Sequence, residues 1–270
     1  MRLRQFFMVV LLASASVSAQ AELRRDEGIG FYIGLDTRLV NVGGTYNGLD
    51  NPNGNRITLL LEHVDHYHGI GTYSLTGPAG LPTVVDTNSN NQIPEVSSGE
   101  EPLPLSSGAG LYAGTLRSAV GDSEYSYLGM ASTASLDGFP VASPEYVLYN
   151  SSAGRWAGSL AGVEVGLQLV SLTPGLNVGT DTDTNIFDGG DVYSLGDGAG
   201  IEFKPVFWVA SDAPGGTYTA GFRLINLTDG SDVTDSGRFY INFAPVPEPE
   251  TYALFGLGLL LLGVVRRRST

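Results

Sequence analysis

The feature that most limits what this chain can fold into is a hydrophobic alternation with a period of two. Val163, Val165, Leu167 and Leu169 alternate with Glu164, Gly166, Gln168 and Val170. Tyr218, Ala220, Phe222 and Leu224 alternate in the same way with Thr219, Gly221, Arg223 and Ile225. Successive side chains of a strand point to opposite faces, so each pattern turns one apolar face to a core. Further strands are expected over 31–42, 57–62, 67–75, 111–117, 125–130, 201–210 and 239–243. Between them lie clusters such as Asn51-Pro52-Asn53-Gly54 and Ala213-Pro214-Gly215-Gly216, which favour turns. No capped helical stretch of useful length precedes residue 250. The expected fold class is all-β, with a β-sandwich or jelly-roll-like body over 22–246. Residues 94–110, with Pro94, Pro102 and Pro104, are the least strand-like part. They read as a surface loop, with a subdomain boundary as the alternative.

The two ends differ from this body. Arg2 and Arg4 precede an apolar stretch from Phe6 to Leu12, and Ala19-Gln20-Ala21 offers small residues for cleavage. Residues 1–21 therefore read as a secretory signal peptide; the apolar run falls short of the roughly 18 residues a spanning helix needs. At the other end, residues 247–270 carry Pro247-Glu248-Pro249, an apolar run from Tyr252 to Val265, and Arg266-Arg267-Arg268. At 1.5 Å per residue the run is about 21 Å long as a helix, against a bilayer core of about 30 Å. It is membrane-directed, with the arginines on the cytoplasmic side.

This order of motif, short apolar helix and terminal arginines resembles the PEP-CTERM sorting signal. The resemblance implies a Gram-negative bacterium, a signal peptidase and an exosortase as processing partners, and removal of the tail near the motif. It further implies delivery to the cell surface or an extracellular matrix, often where exopolysaccharide is made.

No cysteine is present, so the exported body must be held by its core or by bound ions. Between Glu22 and Val246, nine basic residues stand against 26 acidic ones, a net charge of about −17. Such a field repels nucleic acid and anionic polysaccharide and favours divalent cations.

All three histidines of the chain fall in one stretch, His63-Val64-Asp65-His66-Tyr67-His68. Neutral imidazole suits Zn²⁺, and three of them with a carboxylate or water fill a tetrahedral shell. Glu62 and Asp65 offer carboxylates, as a fourth ligand or as acceptors for ring N–H groups. Spacing works against convergence on a regular strand, where His66 and His68 share a face and His63 opposes them. A turn or bulge between Glu62 and His66 is required. The bland reading is surface histidines packed on tyrosines. The stretch His63 to Gly69, with Gly71-Thr72-Tyr73-Ser74, Gly77-Pro78 and Thr87 to Glu95, is similar to a group of PEP-CTERM proteins repressed by the zinc uptake regulator. That similarity implies a role in zinc acquisition or buffering, with His63, His66 and His68 as the metal residues and a zinc uptake system as partner.

Asp181-Thr182-Asp183-Thr184-Asn185, followed by Asp188 and Asp191, alternates oxygen donors and could take Ca²⁺ in a loop. It is not an EF-hand, since Ile186 and Val192 stand where Gly and Glu are needed. Gly121-Asp122-Ser123 lacks a downstream histidine base, and no nucleophile elbow, P-loop or dinucleotide fingerprint occurs. The expectation is a non-enzymatic, zinc-binding surface protein. Its rival is a structural or carbohydrate-binding protein of the extracellular polysaccharide matrix, and a hydrolase ranks last.

Overall fold

A computed structural model describes residues 24–86 and 90–246. The expected signal peptide and the apolar C-terminal run lie outside the described residues. In chain order the strands are β1 (Ile29–Leu35), β2 (Ile57–His63), β3 (His66–Ile70), β4 (Tyr73–Thr76), β5 (Thr83–Asp86), β6 (Gln92–Ile93), β7 (Leu103–Ser107) and β8 (Thr115–Ser118). There follow β9 (Gly129–Ser132), β10 (Glu164–Leu172), β11 (Asn177–Gly179), β12 (Val192–Asp197), β13 (Glu202–Phe203), β14 (Val206–Ala210), β15 (Tyr218–Asn226) and β16 (Phe239–Pro245). Helix α1 (Pro144–Tyr149) has its first turn capped by the Ser143 hydroxyl, which accepts from the Tyr146 amide.

The fold is mainly β, as the alternation requires. A five-stranded sheet runs β13-β9-β1-β2-β3, a nine-stranded sheet runs β11-β14-β8-β7-β16-β15-β10-β12 with β6 also on β16, and β4 pairs with β5 alone. Most pairs are antiparallel, but β1–β9, β16–β6 and β16–β7 are parallel. Phe31, Ile33, Leu59 and Leu61 of the smaller sheet share one core with Phe222, Phe239, Ile241 and Phe243 of the larger. Each buried side chain of this size contributes about 1.5–3 kcal/mol over its exposed state.

The other face of the five-stranded sheet is covered too. Tyr32, Leu60, Tyr67, Leu136, Leu148 and Trp156 form a second buried cluster there, under α1 and the turn that precedes it. With both faces covered, all seven residues of β1 are buried. Gly30 is needed in it, because a Cβ there would lie 2.7 Å from the Tyr127 carbonyl oxygen.

Several boundaries differ from the sequence expectation. The strand expected over 31–42 ends at Leu35, because Asp36 is fully buried and held by the Arg155 guanidinium and the Asn51 amide. Within 94–110, expected to be a loop, Leu103–Ser107 is a strand whose Leu103 and Leu105 reach the main core. The capped helix α1 is not anticipated by the periodicity; six residues are too few to show a helical period.

Candidate metal centre

The β2–β3 hairpin solves the spacing problem of the histidines. Its register pairs Leu59 with Ile70, Leu61 with His68, and His63 with His66. Directly paired residues share a face, so all three imidazoles stand on the face that carries Leu59, Leu61 and Ile70. The hydrophobic face thus ends in histidines at the sheet's edge. Val64 and Asp65 make the turn, and Val64 takes φ +58°, a conformation that β-branched residues avoid.

The rings are gathered at centroid separations of 4.9 Å for His63–His68, 5.1 Å for His66–His68 and 5.3 Å for His63–His66. Their side chains remain 35% to 47% exposed, so an ion can reach them from solvent. Each ring meets a carboxylate through Nδ1. His68 Nδ1 is 2.7 Å from Glu95 Oε2, His66 Nδ1 is 3.0 Å from Asp65 Oδ1, and His63 Nδ1 is 3.1 Å from Glu124 Oε1. A carboxylate only accepts, so Nδ1 carries the hydrogen and each neutral ring keeps its lone pair on Nε2. The Nε2 atoms of His66 and His68 are 3.3 Å apart.

The supporting carboxylates are themselves held. Glu95 is buried, and its Oε2 also accepts from the Tyr125 hydroxyl at 3.1 Å. Glu124 opens a turn capped by Ser123 and accepts from the Arg25 guanidinium at 3.2 Å. Arg25 is buried as well, donates to the Glu62 carbonyl, and lies 5.3 Å from the Tyr127 ring centroid. Asp65 is exposed, and its hydrogen bond from His66 holds the carboxyl below the usual aspartate range.

The structure departs from the sequence expectation in two ways. Glu62, expected as a neighbouring ligand or acceptor, is fully buried on the opposite face of β2, where its charge raises the pKa of Tyr32 and Tyr67 after burial itself. Adjacent to His63 in sequence, it is turned away from the rings in space. The rings are also close without being arranged as a finished site. Among the described residues, no group of three or more His, Cys, Asp or Glu side chains stands in metal-holding positions. Glu95 and Glu124 escape sequence reasoning, since they lie 27 and 61 residues from their histidines. The one signal in the sequence is that Glu95 closes the distinctive stretch that begins at Thr87.

In the acidic loop, the carbonyls of Thr180 and Asp183 accept from the Tyr112 hydroxyl, and that of Thr184 accepts from the Trp208 indole. Asp183 accepts from the Asn185 amide, and Asp188 from the Asn185 side chain. Calcium there would rely mainly on the carboxylates, because these carbonyls already have donors. The hydroxyl of Ser123 serves as the turn cap noted above.

Among the described residues no helix is long and apolar enough to cross a membrane. Residues 245–269 match the family model of the PEP-CTERM protein-sorting motif, a span of which only Pro245 and Val246 are described. No curated protein and no solved structure matches the chain. The chain therefore carries a PEP-CTERM sorting motif at the end of a β-rich body, and it is an exported protein of a Gram-negative cell envelope, sorted through an exosortase.

Proposed function

We propose that this protein binds Zn²⁺ through His63, His66 and His68 at the tip of the β2–β3 hairpin, in zinc acquisition or buffering at the envelope, without catalysing a reaction. One observation carries the reading: two Nε2 atoms 3.3 Å apart, on rings whose Nδ1 atoms both face carboxylates. Two lone pairs at that distance repel unless a proton or a cation lies between them. Two imidazoles on one tetrahedral zinc, at 2.0–2.1 Å each, have their nitrogens about 3.3–3.4 Å apart. Ring N–H groups held by carboxylates are the usual outer shell of zinc histidines.

His63 is the third ligand. Its ring now stacks on His68 with 28° between planes, so capture requires it to turn its Nε2 toward the pair. Water or a carboxylate completes the shell. The charge of about −17 on the body raises the local cation concentration. The similarity of the hairpin to zinc-starvation PEP-CTERM proteins points the same way.

Isothermal titration of the full chain with zinc chloride tests the proposal. Binding at micromolar or tighter affinity, lost when His66 and His68 are both replaced by alanine, is expected. Zinc uptake that ignores these replacements, or none at all, defeats it.

A further inference from the structure

We propose that a polar cleft on the other side of β3 is a binding site for a neutral, hydroxyl-rich ligand with the size and chemistry of one or two sugar rings. The cleft has a volume of about 480 Å³, within the range of small-molecule sites. Tyr67 and Gly69 of β3 form part of its lining, together with the Asn51–Asn53 turn, Tyr73, Asn90 and the Arg155-Trp156 pair. Since Tyr67 and Gly69 alternate with His66 and His68, the cleft and the histidines use opposite faces of one strand.

The walls are braced by hydrogen bonds. The Asn53 side chain donates to the Tyr73 carbonyl at 2.8 Å and accepts from the Tyr73 amide at 2.7 Å. Asn51 donates to Asp36 at 2.9 Å and to the Arg38 carbonyl at 2.6 Å. Arg155 grips Asp36 through two nitrogens, Nε at 2.9 Å and Nη2, and lies over the Trp156 ring. Immediately before this pair, Ser152, Ala153 and Gly154 all have positive φ, at 55°, 59° and 70°. Two non-glycine residues in the left-handed region are strained, and such strain persists only where surrounding contacts over-determine it.

The chemistry selects the ligand. The one cation of the wall, Arg155, is neutralised by buried Asp36, so the cleft offers an anion no unmatched charge. Three lining residues each keep a polar atom with no hydrogen-bond partner: Asn90 Oδ1, the Trp156 indole nitrogen and the Tyr67 hydroxyl. Asn90 is fixed by its amide nitrogen, which donates to the Gly69 carbonyl at 2.5 Å and the Thr72 hydroxyl at 3.2 Å. These three atoms are an acceptor, a donor and a group that does both. Adjacent hydroxyls, each able to donate and accept, match that set as neither an apolar nor an ionic ligand can. All three atoms are shielded from bulk water, so binding includes a small side-chain opening that brings them to the ligand.

The test is NMR of the ¹⁵N-labelled full chain in excess EDTA, so that the histidines hold no metal. The probes are glucose, galactose, mannose, N-acetylglucosamine and cellobiose, with glucuronate and inorganic phosphate as anionic controls. The chain has only two tryptophans. At least one neutral sugar should saturate with a Kd of about 10 mM or tighter, shifting the Trp156 indole N–H resonance and leaving that of Trp208 in place. Trp156→Phe, which keeps an aromatic ring and removes the donor, should weaken that sugar at least tenfold, read from the Tyr67 and Gly69 amides. Replacing His66 and His68 by alanine should change nothing. No shift with any neutral sugar, shifts only with the anions, or full affinity in Trp156→Phe would each overturn the proposal; because the wild-type indole shift is decisive alone, the test survives a variant that fails to fold.

Discussion

On one side of β3, His66 and His68 stand 47% and 35% exposed, each with its Nδ1 on a carboxylate; on the other, Tyr67 is 7% exposed and packs edge-to-face on Tyr32. The same five-residue strand is therefore held in two different ways. The outer tip of the histidine face relies on directed polar contacts to Glu95, Asp65 and Glu124. The tyrosine face relies on burial beneath α1, with Leu60, Leu148 and Trp156 as neighbours. Such a strand separates its tasks by side. Changes to the buried packing of the tyrosine face should appear in stability, and changes on the histidine face in zinc affinity.

The sharpest way to break this separation is Tyr67→Ala. Truncating a buried aromatic residue costs about 3–5 kcal/mol, and a chemical unfolding curve should show that loss. Replacing His66 and His68 by alanine should cost less, about 1–2 kcal/mol in EDTA, because buried Glu95 loses the His68 N–H but keeps the Tyr125 hydroxyl. Zinc affinity, measured by competition with a chelator, should fall more than about 100-fold, or about 2.7 kcal/mol. If the pair of histidines proves as costly to stability as Tyr67, the two faces are not separable.

A smaller effect is expected from Glu95→Gln. The amide oxygen can still accept from His68 Nδ1, but the negative charge behind the ring is gone. Loss of such outer partners costs about 10–100-fold in metal affinity, and about tenfold is expected here, by the same competition assay.

Smaller again is Tyr32→Phe, which removes a buried hydroxyl with no hydrogen-bond partner. It should stabilise the fold by about 1 kcal/mol. The change also has a pH signature. Burial, and then the Glu62 charge, holds the Tyr32 phenol protonated well above its ordinary range, and burial does the same for Tyr67. The unfolded chain releases these protons near pH 10, where the folded chain still binds them. Stability from this source is complete below about pH 10 and declines as pH rises above it. Tyr32→Phe should lessen that alkaline decline, while Glu95→Gln should not.

How much of the molecule is legible in the sequence depends on the range of the interaction. The alternations around Val165 and Phe222 announce β10 and β15 directly, because a strand's face is written in adjacent residues. Tyr67 and Trp156 carry no such sign, since their cluster assembles from β1, β2, β3 and α1. For the histidines, composition identifies the cluster, but convergence depends on the two-residue turn at Val64-Asp65. The positive φ of Val64 cannot be read from a β-branched residue, which argues against it. Glu95 and Glu124 become partners only through tertiary folding. The prolines at 102 and 104 hide β7, because proline cannot donate to a ladder, although Leu103 and Leu105 supply its buried face.

The position of β16 has a mechanical consequence. This last strand of the described residues lies inside the larger sheet, paired with β15 on one side and with β6 and β7 on the other. Its ladder continues to the very start of the sorting motif, where the Val246 amide still donates to the Leu105 carbonyl at 2.9 Å. A pull transmitted along the chain from that end would load both ladders in shear, along the strand, so that many bonds share the force together. A terminal strand at a sheet edge would instead peel away one bond at a time. A body held from that end would be held through a strand that resists tension along its own axis.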